Sequence, residues 1–440
     1  MRNKKLSLVI LLLIVISLPL LVLVIKHQTQ TRSNAAAADK LEAESGTLGG
    51  NAIPKTDSQA SGGSYIELVT NQISPTITPQ SSNKIGPQPV NSTPISQGTK
   101  FASPTGTGST CSSSSPCSLT TATNNAAAGD IVFLRGGIYS ITSNIYFRGN
   151  GTPNNYITFE SYPGELAILD GSSLSAGTQI YIRITGSYNK LRKFEIRNMP
   201  MQGIWIGGNY NILDGLDVHH NKLSGIHIFS PYEAFPYGQY GSYNQILNSK
   251  AHDNSDAYLG GAGQDFNRGG NADGISISSG EGNIVKNVLI ERNSDDGFDS
   301  WRSTNTKISH SISTANGIDQ GNGDGIKAGG ASPSNGTIVE HSIAYKNKGV
   351  GFDTNSGLNV TFNFVTSWTN GVYGFYTYST TKISNSISVG HTNNFGGNGT
   401  QTNNSWQRSG TPTFISTDPS SVDFLKPTTN GFTDIGAYAN

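Results

Sequence analysis

Charge is scarce in this sequence. Asp, Glu, Lys and Arg make up 13% of its 440 residues, and 29 acids balance 29 bases. A net charge of zero offers no positive field to a polyanionic helix, so no nucleic-acid partner is expected. Cysteine is scarcer still. Cys111 and Cys117, with no histidine near them, cannot complete a tetrahedral zinc shell. The eight histidines show no spacing that would ligate a transition metal. Past residue 130 the helix-favouring residues Lys, Glu, Leu and Ala are thin, which argues against a helical protein. What is plentiful is glycine, 53 residues of it, with Asn, Ser and Thr between short β-type runs. That mixture predicts an all-β chain of many short strands and turns.

Long apolar runs are missing after the first few turns of chain. MRNKK is followed by an apolar stretch from Leu6 to Ile25, long enough to cross a bilayer. Arg2, Lys4 and Lys5 would hold its front end in the cytoplasm. Residues 1–38 are therefore expected to be a signal anchor, or a signal peptide cleaved near the alanines at 35–38. Either way the rest lies outside the cytoplasm, secreted or at the cell surface, and touches the membrane only through this segment. Cys111 and Cys117, in CSSSSPC, are then expected to form a small disulfide. In residues 39–98, LEAESGTLGGNAIPKTDSQASGGSYIELVTN resembles the opening strands of β-sandwich carbohydrate-binding modules. Too little of it is present for more than a remnant or a strand pair. ISPTITPQSSNKIGPQPVNSTPISQ reads as an extended linker.

From about residue 180 the chain repeats. Gly followed by Ile or Phe recurs at Gly203, Gly225, Gly274, Gly297, Gly325, Gly351 and Gly374, with spacings near 23 residues and one near twice that. Four positions earlier stands Asn221, Asn293, Asn347 or Asn370. Units this short cannot bury an apolar face alone and must stack, which indicates a solenoid. Parallel β-helix coils fit best, filling residues 99–440. The asparagines then form a structural ladder, and SLTTATNNAAA at 118–128 supplies a helix that caps the first coil.

Stacking the coils on the marker glycine gathers the acids. Asp273, Asp296 and Asp324, each directly before Gly, fall in one column. Ser276, Asp299, Lys327 and Asp353 fall in a second, two places after Gly, and Asp295 adjoins the first. Carboxylates so crowded repel unless protonated or bridged by a cation. An all-oxygen, acid-rich set suits Ca²⁺, which accepts six to eight oxygens in irregular shells. Asp before Gly is also ordinary turn chemistry, which Asp324 exemplifies.

NADGIS (271–276), NSDDGFDSW (293–301) and GDGIKAGG (323–330) resemble the signature coils of polysaccharide lyase family 9, the right-handed parallel β-helix pectate lyases. The likeness runs in motif order from FASPTGTGSTCSSSSPCSLTTA to the GAY near the end. The resemblance implies that Asp273, Asp295, Asp296 and Asp299 ligate calcium and that Lys327 is the base of a β-elimination on an acidic polysaccharide. It departs from the family at Asp324, where Asn is expected; an added carboxylate there would favour protonated Lys327. Arg302 and Arg268 are candidates to clamp a uronate carboxylate, and Trp301, Tyr373, Tyr376 and Tyr378 to contact sugar rings. A monomer is expected.

Two other readings stay open. An acid-glycan hydrolase on the same scaffold would need a carboxylate pair about 6.5–9.5 Å apart for inversion, but the later GHG and RIK phrases of β-helix polygalacturonases are absent. A calcium-stabilised surface adhesin would bind glycan without cleaving it.

Overall fold

The computed structural model describes residues 52–56, 64–68, 84–229, 240–257, 269–378, 380–428 and 431–439. The expected N-terminal anchor lies outside them. Among the described residues no helix is long and apolar enough to cross a membrane. The chain divides into two units, Met1–Ser82 and Asn83–Asn440. In the first, Ala52–Thr56 pairs antiparallel with Ser64–Leu68, the strand pair expected from the module-like stretch.

The second unit is a parallel β-helix. Three sheets of twelve, ten and ten strands run along it, and each coil lends one short strand to each sheet. One coil illustrates the rest: Ile284–Lys286 lies in the first sheet, Leu289–Glu291 in the second and Phe298–Asp299 in the third. A single residue in the left-handed region, Asn287 at φ 55°, turns the chain between the first two.

Alternation along such short strands leaves one or two inward side chains each, and these stack. Ile246, Val285, Ile308, Val339, Phe362 and Ile383 follow one another in register and are buried. The Ile or Phe after the marker glycine does the same in the third sheet, as Ile275, Phe298, Ile326, Phe352 and Phe375. The glycine itself is required by close approach: a Cβ at Gly225 would sit 2.7 Å from Asn254 Nδ2 and 2.8 Å from Gly274 O.

The ladder is longer than the marker spacing suggested. Asn221, Asn254, Asn293, Asn316, Asn347 and Asn370 pass side-chain and backbone hydrogen bonds up the stack, each Oδ1 accepting from the residue before it. Asn254 and Asn316 escape the spacing rule because insertions separate them from their glycines. A second ladder, Asn189, Asn211, Asn244 and Asn283, was not foreseen.

The capping helix is Leu119–Asn125. Ser118 caps it by accepting the Thr121 N–H, and Leu119 and Ala122 are buried. The Cys111–Cys117 disulfide is formed just before it. The expected boundary at residue 99 moves. Residues 84–98, read as linker, lie along the coils: the Gly86 N–H donates to His310 O at 2.7 Å, and Arg192 reaches Thr93 at 3.0 Å and the Asn91 carbonyl at 2.6 Å. A Pro/Ser/Thr composition cannot report partners that lie so far away in sequence.

Candidate functional site

The two predicted columns form as the stacking requires. Carbonyls of Asp273, Asp296 and Asp324 accept the N–H of Gly225, Gly274 and Gly297, so the three aspartates stand on successive rungs. Their side chains also stitch the column together. Asp273 Oδ1 accepts the Asp296 N–H at 3.3 Å, Asp296 Oδ1 the Asp324 N–H at 2.7 Å, and Asp324 Oδ1 the Val350 N–H at 2.7 Å. In the third sheet Ser276, Asp299, Lys327 and Asp353 are paired in register.

The columns meet at a cleft of about 580 Å³, whose walls include Asp273, Asp295, Asp299, Lys327, His227 and Trp301. One carboxylate oxygen from each of Asp273, Asp296 and Asp299 lies within 4.8 Å of the others, and all three residues are buried. Asp299 Oδ1 is buried with no hydrogen-bond partner. Asp295, the fourth expected ligand, stands apart from that trio. It faces the same cleft, but its Oδ1 accepts the Asn322 N–H at 3.0 Å. Lys327 Nζ lies 2.7 Å from Asp296 Oδ2 and 3.2 Å from Asp299 Oδ2.

The electrostatics follow from this crowding. Burial, then Asp299, Asp296 and Asp295, push Asp273 well above the ordinary carboxylate range. Burial and Asp296 push Asp295 up to about 7. Burial raises Asp299 to about 6, with Lys327 opposing and Asp296 adding to it. Burial works to lower Lys327, but Asp296, Asp299 and Asp273 outweigh it and hold the amine protonated. Asp324 plays the turn role: both oxygens are occupied, by the Val350 N–H and the Asn322 amide. Burial, Asp296 and Asp353 push it up to about 8, so it contributes little negative charge near neutrality.

Buried, all-oxygen, mutually repelling donors with an orphaned Asp299 oxygen fit a hard divalent cation of the Ca²⁺ type. Beside them stands one amine able to move a proton once those carboxylates release it.

The peripheral candidates divide. Trp301 is 41% exposed at the cleft. Arg302 lies over the Trp301 ring, 5.4 Å from its centroid, and does not line the cleft. Arg268 lies outside the described residues. Tyr376 follows Asp353 in register, with Tyr373 and Tyr378 at ring distances of 5.2 and 6.0 Å. His227 was missed, because nothing in its own phrase, GIHIF, marks it; only register places it beside Ser276. Burial pushes it down to about 4, so it is a neutral imidazole.

The histidines also come together despite their unpromising spacing. Ligand atoms of Asp217, His219 and His252 lie within 4.8 Å of one another on the second sheet. Their nitrogens are already engaged: His252 by Asp217 at 2.9 Å and Asp253 at 2.6 Å, His219 by Glu195 at 3.1 Å and by His220 at 2.6 Å. The His219 and His252 rings stack 10° from parallel, so their lone pairs do not converge.

Comparison with known proteins agrees with this architecture. A family described as "Pel9A-like, right handed beta helix region" matches residues 100–403. Pectate lyase L of Paenibacillus polymyxa is 31% identical over 278 residues, which cover 58% of this chain and 60% of that protein. Pectate lyase L of Dickeya chrysanthemi is 29% identical over 304 residues, 62% of this chain and 66% of that one. The match thus spans less than two thirds of either relative. Among solved structures, pectate lyase Pel9A superimposes with a TM-score of 0.61 at 24% identity, covering 76% of this chain and 89% of that one. A rhamnogalacturonan lyase gives the same TM-score at 21% identity, covering 77% and 100%. At those identities the two structures speak for the fold alone.

Proposed function

This chain belongs to the Pel9A-like right-handed β-helix family, and we propose that it is a calcium-dependent lyase of uronate-containing polysaccharides. The observation that carries this is the placement of Lys327 Nζ at 2.7 and 3.2 Å from two carboxylates of a buried three-acid cluster, on the wall of an open cleft. Polygalacturonate is the first substrate to try, because the relatives named above are pectate lyases.

Asp273, Asp296 and Asp299 would hold Ca²⁺, with Asp295 on the same wall. Bound there, the ion supplies positive charge against the uronate carboxylate and so stabilises the anion that develops when C5 loses its proton. Lys327 is the base. It takes the C5 proton; the released electron pair forms the C4–C5 double bond, and the C4 oxygen leaves with the rest of the chain. The amine can accept that proton only after Asp296 and Asp299 cease to hold its own. The rate is therefore expected to climb from neutrality toward about pH 10. A flat profile over that range counts against Lys327. An inverting hydrolase needs its acids about 6.5–9.5 Å apart to admit water, and the tighter grouping of Asp273, Asp296 and Asp299 speaks against that mechanism. An extracellular or surface location belongs to the same reading, from the apolar N-terminal stretch and the closed Cys111–Cys117 bridge.

The decisive experiment offers a panel of acidic polysaccharides to the full chain, with and without a chelator, and records the ultraviolet absorbance of unsaturated ends. Chelator-sensitive absorbance that disappears in Lys327→Ala is expected. Reducing ends without absorbance would indicate a hydrolase, and binding without cleavage an adhesin.

A further inference from the structure

The outward column of the third sheet continues beyond the acids in both directions. Toward the C-terminus come Asp353 and Tyr376. Toward the N-terminus, Ser276 is followed by His227, Trp205, Arg183 and Tyr146, and none of these is a carboxylate. Rungs of a sheet lie ~4.8 Å apart, so Arg183 stands four rungs, roughly 19 Å, from Asp299. A polyanion seated at the cleft meets Asp353 on one side and, on the other, a column free of carboxylates that leads to Arg183.

Arg183 is held in an unusual way. Its guanidinium carbon lies 4.1 Å from the centre of the Tyr181 ring and 4.0 Å from that of Trp205. Trp205 is itself fixed, since its Nε1 donates to Phe229 O at 2.9 Å. The two ring centres lie 6.1 Å apart with their planes 58° from one another, so the rings form a corner that holds the guanidinium from one side. Arg183 Nε is buried without an acceptor, and among the described residues no carboxylate pairs with this side chain. One rung on, Arg148 lies 4.3 Å from the centre of the Tyr146 ring in the same manner. Among the described residues Arg135, Arg192, Arg197, Arg292 and Arg408 each pair with an acid instead.

We propose that Arg183, seated in the corner of Tyr181 and Trp205, forms a distal subsite that grips the carboxylate of a uronate about four rungs N-terminal of Asp299, with Arg148 continuing the track. This rests on the reading of the substrate as a uronate polymer. It makes binding depend on chain length, and it sets the polymer along the sheet, crossing successive coils.

The test compares the full-length protein with Arg183→Ala and Arg183→Lys on polygalacturonate and on its trisaccharide, which is too short to reach from Lys327 to Arg183. Arg183→Ala should raise KM for the polymer about tenfold with kcat nearly kept, the loss of one charge-assisted pair. KM for the trisaccharide should move less than about twofold. Arg183→Lys keeps the charge without the flat fork and should recover only part of the loss. An equal rise in KM on both lengths, or none on either, overturns the subsite. If the wild-type protein cleaves no acidic polymer, the lyase reading fails by itself. Calorimetric titration of polygalacturonate then decides the subsite: weaker binding by Arg183→Ala upholds it, while equal binding, or none by either protein, overturns it.

Discussion

Two columns of titratable side chains run along this coil, and the same register builds both. On the second sheet Arg197, His219, His252 and Glu291 stack in order, with Glu195, Asp217 and Lys250 beside them. There acids meet bases: Arg197 with Asp170, His252 with Asp217, and Arg292 with Asp253 through two nitrogens. On the third sheet and the turn before it, Asp273, Asp295, Asp296, Asp299, Asp324 and Asp353 crowd around Lys327. The first column is compensated and reads as architecture. The second gathers more carboxylates than its one amine can pair, in a buried place, a combination that points to something else to be bound.

The largest effect expected from that contrast is on turnover. Lys327→Ala should lower cleavage by about 10²–10⁴-fold, the usual worth of a positioned base, while His252→Ala on the compensated column should leave it within about twofold. Comparable losses in the two variants, measured by unsaturated-product formation, would erase the distinction. Next comes the ladder between the columns. Asn316→Ala strands the buried Asn293 N–H and amide that it serves, and should cost about 1–3 kcal/mol in chemical denaturation.

Removing charge should act with opposite sign in the two places. Asp273→Asn relieves repulsion, so in chelator it should raise the Tm by a few degrees and blunt the further rise on adding Ca²⁺. Asp253→Asn leaves Arg292 without its two-point partner and should lower stability by about 1 kcal/mol or less, because that pair is partly exposed.

The pH dependence follows the same division. On the third sheet and in the turns before its strands, folded-state values lie above the unfolded 3.8: about 6 for Asp299, about 7 for Asp295 and about 8 for Asp324. These groups favour the fold when protonated. Their contribution is complete below the unfolded value and is lost as pH rises through the folded ones, so the chelated protein should melt at progressively lower temperature from about pH 4 to about pH 8. Burial opposes, but the Arg292 and His252 contacts prevail at Asp253, lowering it to about 2. Its contribution is present above 3.8 and is lost as pH falls through about 2. A chelated protein whose Tm held steady from about pH 4 to about pH 8 would contradict this account of the crowded carboxylates.

Much of this was legible without coordinates. A glycine marker near every 23 residues announces a coil, since a unit of that length has no core of its own. Because parallel coils align like positions, the same marker placed Asp273, Asp296 and Asp299 around Lys327. Where the spacing slipped, legibility failed: Asn254 and Asn316 belong to the ladder but sit behind insertions. Residues 84–98 looked like linker because their partners, Glu160, Arg192 and His310, are distant in sequence.

The sequence by itself determined the coil, its repeat and the acids that share a cleft, because units too short to bury their own apolar faces stack with like positions on like. Only the tertiary structure decided how those groups are engaged. Asp295 gives an oxygen to the Asn322 N–H, Asp324 serves the turns, and Arg183 rests in the corner of Tyr181 and Trp205. Register says which residues are neighbours. Which way a side chain turns among those neighbours is settled by the hydrogen bonds and ring contacts that packing leaves open to it, and those come from several coils at once.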